Sequence, residues 1–298
     1  MRKVVLTGLT GTNPLHFLAS VGLLRIAARV HDRARLAFLD DGSYRPFVEG
    51  IDESLAGLVA RDATEQAGPQ PWRLQYGKVE KRGEKFVEDL KPPPETFRSF
   101  LDSALSRWVE TGDSEGAAYA AAYGTSTAVD NKGNTKPTAF HFTAANQQFL
   151  GAIEAIRASI DEDWCRAALF EANALRPGGN VRWDPGADRN YALMADDPNT
   201  EGTSVNAPLE WLAFRALPLL PCVPIKARVF TTAVSGRGDS AAFSWPLWRA
   251  PASLRTVASL LRLPAEADAR RGLFAAVRAS IRRTSQGFGN FGPGSVSA

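Results

Sequence analysis

The chain has 298 residues, of which 44% are hydrophobic, and its formal net charge is +3. The apolar content is sufficient for a buried core. His16, Ser20 and Arg25 interrupt the apolar run near the N-terminus before it reaches the roughly 20 residues that cross a bilayer, so we expect a cytoplasmic protein without a membrane span. Cys165 and Cys222 are too few for a disulfide framework or a structural zinc site, and we predict no metal and no cofactor.

The first 110 residues are predicted to alternate between short strands and helices. Asn13 followed by Pro14 has the character of a helix cap, so a helix is predicted from Pro14 to Val30, apolar around most of its girth and therefore buried. Further strands are predicted at 4–9, 36–39 and 72–79, and further helices at 52–60 and 95–109. The charged segment 77–94, which ends in three prolines, is predicted to be an exposed connection.

A turn-rich loop, DNKGNTKP at 130–137, is the most unusual feature of the middle of the chain. It precedes a helix predicted from Thr143 to Ser159. Lys132, Asn134 and Lys136 on such a loop have the chemistry to hold phosphates through their side chains and backbone N–H groups. A plain solvated surface loop explains the same residues.

The segment after residue 205 is predicted to begin with a helix at 208–215. Three prolines between residues 218 and 224 then disfavour a long central strand. The segments 226–234 and 241–248 are predicted to pair as antiparallel strands, because the glycines of SGRGDS between them suit a hairpin loop. Arg237 is predicted to lie at the tip of this loop.

Two helices are predicted to finish the chain, at 252–263 and 266–284. In the second helix, Arg271, Arg278 and Arg282 fall on one side at about 100° per residue, and we call them the arginine row. The glycine-rich end, SQGFGNFGPGSVSA, is predicted to be disordered unless a partner orders it.

Together these elements predict an α+β fold, with a mixed core of antiparallel hairpins and packed helices and a basic helical pair at the C-terminus. The core domain is predicted to span residues 1–250. The basic C-terminal segment, with its tail, is predicted to span residues 251–298.

Positive charge is concentrated toward the C-terminus. Residues 1–150 contain 18 Lys and Arg against 18 Asp and Glu, whereas residues 218–298 contain 11 basic residues against three acidic ones. Lys and Arg bind polyanions by displacing counterions from phosphates, so this asymmetry favours a nucleic-acid partner. A basic surface that binds nothing in particular is the alternative.

The sequence lacks the motifs of common catalytic sites. It has no Walker phosphate loop, no dinucleotide fingerprint, no His-x-x-x-His helix and no Gly-x-Ser-x-Gly elbow, and we therefore predict no catalytic residue. His141 is a candidate general base for metal-independent RNA cleavage, with Lys132 or Lys136 stabilising the charged phosphate. A histidine ring packed between its neighbours is the simpler interpretation.

Five segments carry a resemblance to a known family. They are TGTNPLHFLASVGLLRIA, FHFTAANQQFL, RWDPGADRNYALMADDP, LEWLAFRALPLLP and TTAVSGRGDSAAFSWPLW. They resemble an auxiliary or large-subunit-like protein of type I CRISPR systems, in the branch called I-U or I-G. The resemblance implies a non-catalytic subunit of the RNA-guided Cascade complex, which binds crRNA and target DNA beside other Cascade subunits and leaves cleavage to a separate helicase-nuclease.

The leading hypothesis is therefore a nucleic-acid-binding subunit that contacts the target duplex or its opened strands, and with them the target-adjacent motif. Lys132, Asn134, Lys136 and Arg237 are suited to duplex grooves or backbone, and the arginine row is suited to a single strand or heteroduplex. Two alternatives stay open. One is the endoribonuclease that uses His141 to process guide RNA, and the other is a scaffold that contacts only proteins.

Overall fold

Short helices and strands alternate in the computed structural model, which describes residues 3–80, 83–144, 147–172, 174–187, 204–284 and 287–297. Within these ranges the helices are α1 (Pro14–Ala27), α2 (Leu55–Glu65), α3 (Pro94–Thr111), α4 (Glu115–Tyr123), α5 (Phe149–Ala158), α6 (Glu162–Phe170), α7 (Ala207–Ala216) and α8 (Leu254–Leu260). The strands are β1 (Lys3–Val5), β2 (Arg35–Phe38), β3 (Pro46–Glu49), β4 (Tyr76–Glu80), β5 (Gly83–Val87), β6 (Gly124–Val129), β7 (Thr135–Pro137), β8 (Arg176–Pro177), β9 (Ser204–Val205), β10 (Cys222–Ile225), β11 (Arg228–Thr231), β12 (Val234–Ser235), β13 (Ala242–Trp248), β14 (Leu273–Arg283) and β15 (Gly289–Ser297). The predicted α+β class is confirmed.

Helix α1 lies in the centre of the core, as its sequence predicts. The Asn13 side chain caps it by accepting two backbone N–H bonds of the first turn, and every residue except His16 is buried. Helix α7 packs along it. A Cβ at Gly22 would lie only 1.7 Å from the carbonyl oxygen of Leu212, so glycine allows the two backbones to approach this closely.

Two larger antiparallel sheets pack against α1. One has the order β1-β3-β2 and the other the order β12-β13-β14-β15. Phe17 of α1 stacks on Phe38 of the first sheet and on Trp245 of the second, with ring centroids 5.9 and 5.2 Å apart. The Trp248 ring N–H donates to the carbonyl oxygen of Leu36 over 2.7 Å, which ties the two sheets together.

The last predicted helix, 266–284, is wrong: residues 273–283 form strand β14. Leu273, Val277 and Ile281 are spaced four apart, which fits one face of a helix and equally one face of a strand, since four is also a multiple of two. Ala275 and Ala279 complete the period-two pattern, and all five side chains are buried. The described residues therefore contain no pair of helices at the C-terminus. Of the two helices predicted there, only the first, at 252–263, is present, as α8.

Residues 289–297 of the glycine-rich end form strand β15 along β14, where the sequence predicts disorder. Its glycines allow close approach: a Cβ at Gly294 would lie 2.0 Å from the carbonyl oxygen of Thr12, and one at Gly292 would lie 2.3 Å from Ser280 Oγ. The boundary predicted at residue 250 falls between β13 and β14, which are neighbours in one sheet.

Four two-stranded pairs complete the described sheets: β4 with β5, β6 with β7, β8 with β9, and β10 with β11. The charged segment 77–94 thus contains most of a hairpin. The predicted pairing of 226–234 with 241–248 holds only for β12 and β13, because Ala233, at φ 63°, separates β11 from β12 and β11 pairs with β10 instead. The helix predicted from Thr143 begins at Phe149.

Candidate nucleic-acid interface

The loop that carries Lys132 and Asn134 is a defined turn between β6 and β7. Asp130 Oδ1 accepts the backbone N–H of Lys132 over 2.8 Å and that of Asn134 over 3.0 Å. Gly133 adopts φ 81°, which glycine tolerates without strain. The Asp130 carboxylate therefore binds backbone N–H groups within the turn. The Lys132 side chain is exposed to solvent.

Lys136 connects this hairpin to the next one. The Lys136 residue is half-buried, and its ammonium group donates to the carbonyl oxygen of Ala227 over 3.4 Å. Ala227 belongs to the two-residue turn between β10 and β11, where Ile225 pairs with Arg228. Two loops about 90 residues apart in sequence thus lie side by side.

We call residues 222–231 the β-ribbon, and only one of its faces is covered. On the covered face, the Thr231 hydroxyl accepts the backbone N–H of Ala139 over 2.9 Å, and Cys222 Sγ donates to the carbonyl oxygen of Ala122. The outer face is exposed to solvent. The exposed fractions of its large apolar side chains are 52% for Val223, 50% for Ile225 and 38% for Phe230.

Arg237 and Arg278 extend the same surface. The Arg237 guanidinium carbon lies 5.8 Å from the centroid of the Phe230 ring. Arg278 donates to Ser235 Oγ over 3.4 Å and to the carbonyl oxygen of Ser240 over 3.3 Å, so it holds both ends of the loop that presents Arg237. The prediction that Arg237 lies between two paired strands, β12 and β13, is confirmed.

These residues define what we call the basic face: Lys132, Lys136, Lys226, Arg228, Arg237 and Arg278. Within the described part of the chain, none of the six makes an ion pair, and Asp239 is an exposed acid in the Arg237 loop. Exposed arginines elsewhere include paired ones, such as Arg166 with Glu162 at 2.9 Å and Arg107 with Asp113 at 2.8 Å, and others, such as Arg33 and Arg255, that make no ion pair with a described residue. The basic face therefore carries positive charge that its own fold does not neutralise.

The arginine row does not exist as a helical feature. Arg271 lies in a 3₁₀ turn before β14 and pairs with Asp268 at 3.1 Å. Arg278 and Arg282 remain on one side of β14, four residues and about 13 Å apart at the rise of a strand, and both are exposed. The structure thus brings Arg278 to the basic face, places Arg282 further along the same strand, and separates Arg271 from both.

His141 is not accessible to a substrate. Only 2% of it is exposed, its Nε2 lies 2.8 Å from Asp89 Oδ1, and its ring lies 5.5 Å from that of Phe149. Burial lowers the pKa of His141, although Asp89 acts in the opposite direction. The packed-ring interpretation is confirmed, and the endoribonuclease alternative loses its candidate base because the imidazole cannot reach a phosphodiester.

The sequence predictions missed Lys226, Arg228 and Phe230. A signal was present in VPIKARVF, where apolar residues alternate on either side of a two-residue turn. Such turns usually contain Asn or Gly, whereas Lys226 adopts φ 56° here. A lysine in the left-handed region is strained, and backbone strain of this kind clusters at functional sites.

Among the residues with described positions, no cluster of three or more His, Cys, Asp or Glu side chains is arranged to hold a metal ion. Cys165 and Cys222 are free thiols. None of the helices in the described ranges combines the length and apolar character that crossing a membrane requires.

Comparison with known proteins gives no assignment: no family model matches the chain, and no curated protein is significantly similar to it.

Proposed function

We propose that this chain is a non-catalytic nucleic-acid-binding subunit of a cytoplasmic, RNA-guided CRISPR surveillance complex of the Cascade type, and that it contacts crRNA or target DNA through the basic face. The observation that carries the binding function is the convergence of Lys136, the turn at Lys226 and Ala227, and Arg237 around the β-ribbon. The place in a Cascade complex rests on the resemblance of the five sequence segments, with other subunits and a recruited helicase-nuclease as its further partners.

The charge state of the basic face supports a polyanionic partner. A cation already paired with a carboxylate gains little from a phosphate, because one attraction replaces another. An unpaired, exposed cation releases condensed counterions when it meets a phosphate, and this release supplies most of non-specific nucleic-acid binding. All six side chains of the basic face lack an ion pair with a described residue, and all except the half-buried Lys136 are exposed.

An apolar patch on α3 supports a role as a subunit. Leu105, Trp108 and Val109 have exposed fractions of 40%, 50% and 87% near the end of that helix. Exposed apolar clusters are typical of protein contact sites. A scaffold that contacts only proteins would account for this patch and leave the unpaired cations without a role.

Charge reversal tests the proposal. The triple variant Lys136→Glu, Lys226→Glu, Arg237→Glu changes three side chains of the basic face. Its matched control, Arg33→Glu, Arg166→Glu, Arg255→Glu, alters the net charge equally at exposed positions on other elements. Binding of fluorescein-labelled 30-nucleotide RNA and 30-base-pair DNA is measured by fluorescence anisotropy at several salt concentrations.

We expect the triple variant to bind at least about 100-fold more weakly at low salt, and the slope of log K against log salt to fall in magnitude by about 2 to 3. The control is expected to retain both affinity and slope. Equal binding by the two variants contradicts the proposal. A complex that assembles normally around the triple variant after nuclease treatment of the lysate favours the scaffold.

A further inference from the structure

The outer face of the β-ribbon combines features that phosphate binding alone does not explain. Val223 and Phe230 are directly opposed in the strand register, and both are more than a third exposed. Ile225 and Arg228 are also directly opposed, two residues further along the strands and beside the turn. Exposed apolar side chains that lie together as a contiguous patch are typical of binding sites.

The surroundings of this apolar strip identify the chemistry of its partner. The cations of the basic face border it on the turn side, through Lys136 and Lys226, and on the loop side, through Arg237. A partner that fits must therefore be negatively charged along its backbone and must also present flat or apolar surfaces. A nucleic-acid strand has both properties, since every base has a π-face and every linkage a phosphate.

Unpaired bases fit this surface better than a duplex does. In a duplex the base faces are stacked on each other, and a protein meets only phosphates and groove edges. In a single strand the base faces are free to stack on aromatic rings or on guanidinium planes. Phe230 provides an aromatic ring and Arg237 a guanidinium plane at the same place, with the guanidinium carbon 5.8 Å from the ring centroid.

We infer that the outer face of the β-ribbon is a stacking site for unpaired bases of single-stranded nucleic acid, with Phe230 and Arg237 as its platform. Val223 and Ile225 extend the apolar floor, and Lys136 and Lys226 track the phosphates beside it. The inference rests on the proposed nucleic-acid binding and specifies the form of nucleic acid that the basic face takes.

Oligonucleotides with and without bases test the inference. The probes are fluorescein-labelled dT20, an abasic strand of the same length and charge, and a 20-base-pair duplex. Phe230→Ala removes the ring, and Phe230→Trp enlarges it. Phe86→Ala is the matched control, because Phe86 is a more exposed phenylalanine, at 67%, on the separate β4–β5 hairpin.

We expect Phe230→Ala to bind dT20 about 5- to 150-fold more weakly, the range found when one base loses its stacking partner. Binding of the abasic strand and the duplex, and the salt slope for dT20, are expected to stay unchanged. Phe230→Trp is expected to restore dT20 affinity and to show quenching of the new indole fluorescence when bases stack on it. This variant also keeps an aromatic strand residue, so it separates stacking from loss of the hairpin.

Failure of the stacking inference can be distinguished from failure of the proposed function. If Phe230→Ala and Phe86→Ala bind dT20 as the unaltered protein does while the charge-reversed triple variant does not, the stacking inference is overturned and the proposed function stands. If the unaltered protein binds the abasic strand as tightly as dT20, bases contribute nothing and the inference is again overturned. If it binds none of the probes, both the inference and the proposed function fail.

Discussion

Arg215 on α7 donates to Asp62 on α2 over 3.1 Å, and the side chains are 0% and 7% exposed. Arg215 also donates to Glu115 and to the Tyr119 hydroxyl, both over 2.9 Å, while Arg25 of α1 pairs with Glu115 from the other side. One buried ionic cluster therefore joins helices α1, α2, α4 and α7. Burial raises the pKa of Asp62, and the Arg215 guanidinium opposes that shift.

Removing the shared cation is expected to cost much of the protein's stability. Arg215→Met keeps roughly the volume but leaves the buried Asp62 without its cation, while Glu115 keeps only Arg25. Loss of one member of a buried ion pair typically costs about 3 to 5 kcal/mol. Urea denaturation measures the change. Arg166→Met is the control: it breaks an exposed pair with Glu162, and such pairs contribute roughly 0 to 1 kcal/mol. Equal losses for the two variants would show that the buried cluster is not a special source of stability.

Glu210 gives the protein a distinct dependence of stability on pH. Burial raises its pKa from 4.5 to about 8, with a backbone bond from Val181 acting in the opposite direction. Above pH 4.5 the unfolded chain releases this proton while the folded protein still holds it, so the free energy of unfolding falls as pH rises toward about 8. The slope for one such group is at most about 1.4 kcal/mol per pH unit.

Glu210→Gln removes this titration and keeps an amide oxygen as acceptor for Val181. We expect the variant to be close to the unaltered protein in stability at pH 5 and to gain on it steadily up to about pH 8. Chemical denaturation at pH 5, 6, 7 and 8 measures the difference between the two proteins, which removes contributions from all other groups. A difference that stays constant across this range would contradict a buried, protonated Glu210.

A substitution at Lys226 is expected to affect stability and nucleic-acid binding in opposite directions. An ordinary L-residue in the left-handed region is disfavoured by about 1 to 2 kcal/mol, whereas asparagine adopts it more readily. Lys226→Asn is therefore expected to stabilise the protein by about 0.5 kcal/mol while weakening nucleic-acid binding and reducing the salt slope by about one. Thermal unfolding and anisotropy titrations measure the two effects. A variant that is less stable and binds equally well would show that Lys226 serves the turn and not the basic face.

Local chemistry in the sequence was enough to predict part of the fold. The cap at Asn13 located α1, and the glycines of SGRGDS located the loop that presents Arg237. Both depend on contacts between residues close in sequence, which is why pattern alone suffices. The same holds for the turn at 130–134, where one aspartate organises the loop that follows it.

Long-range contacts decided what the sequence left ambiguous. Leu273, Val277 and Ile281 fit a helix or a strand equally well, and the choice was made by the neighbouring β13, which offers an edge for pairing. The basic face is likewise assembled from hairpins far apart in the chain. Since Lys136 meets Ala227 only in the folded protein, the cations on the two loops could be identified separately but not as one surface.

Strand β15 packs on the core through a buried aromatic side chain. Phe291 of β15 is 0% exposed, and its ring centroid lies 4.8 Å from that of Phe142 and 5.7 Å from that of Phe243. Phe291→Ala is therefore expected to lower the free energy of unfolding by about 3 to 5 kcal/mol, as in other aromatic cores. Val296→Ala, at a 38% exposed position of the same strand, is expected to cost less than about 1 kcal/mol. Guanidinium denaturation distinguishes the two, and a Phe291→Ala protein as stable as its control would mean that the glycine-rich end does not pack on the core in solution.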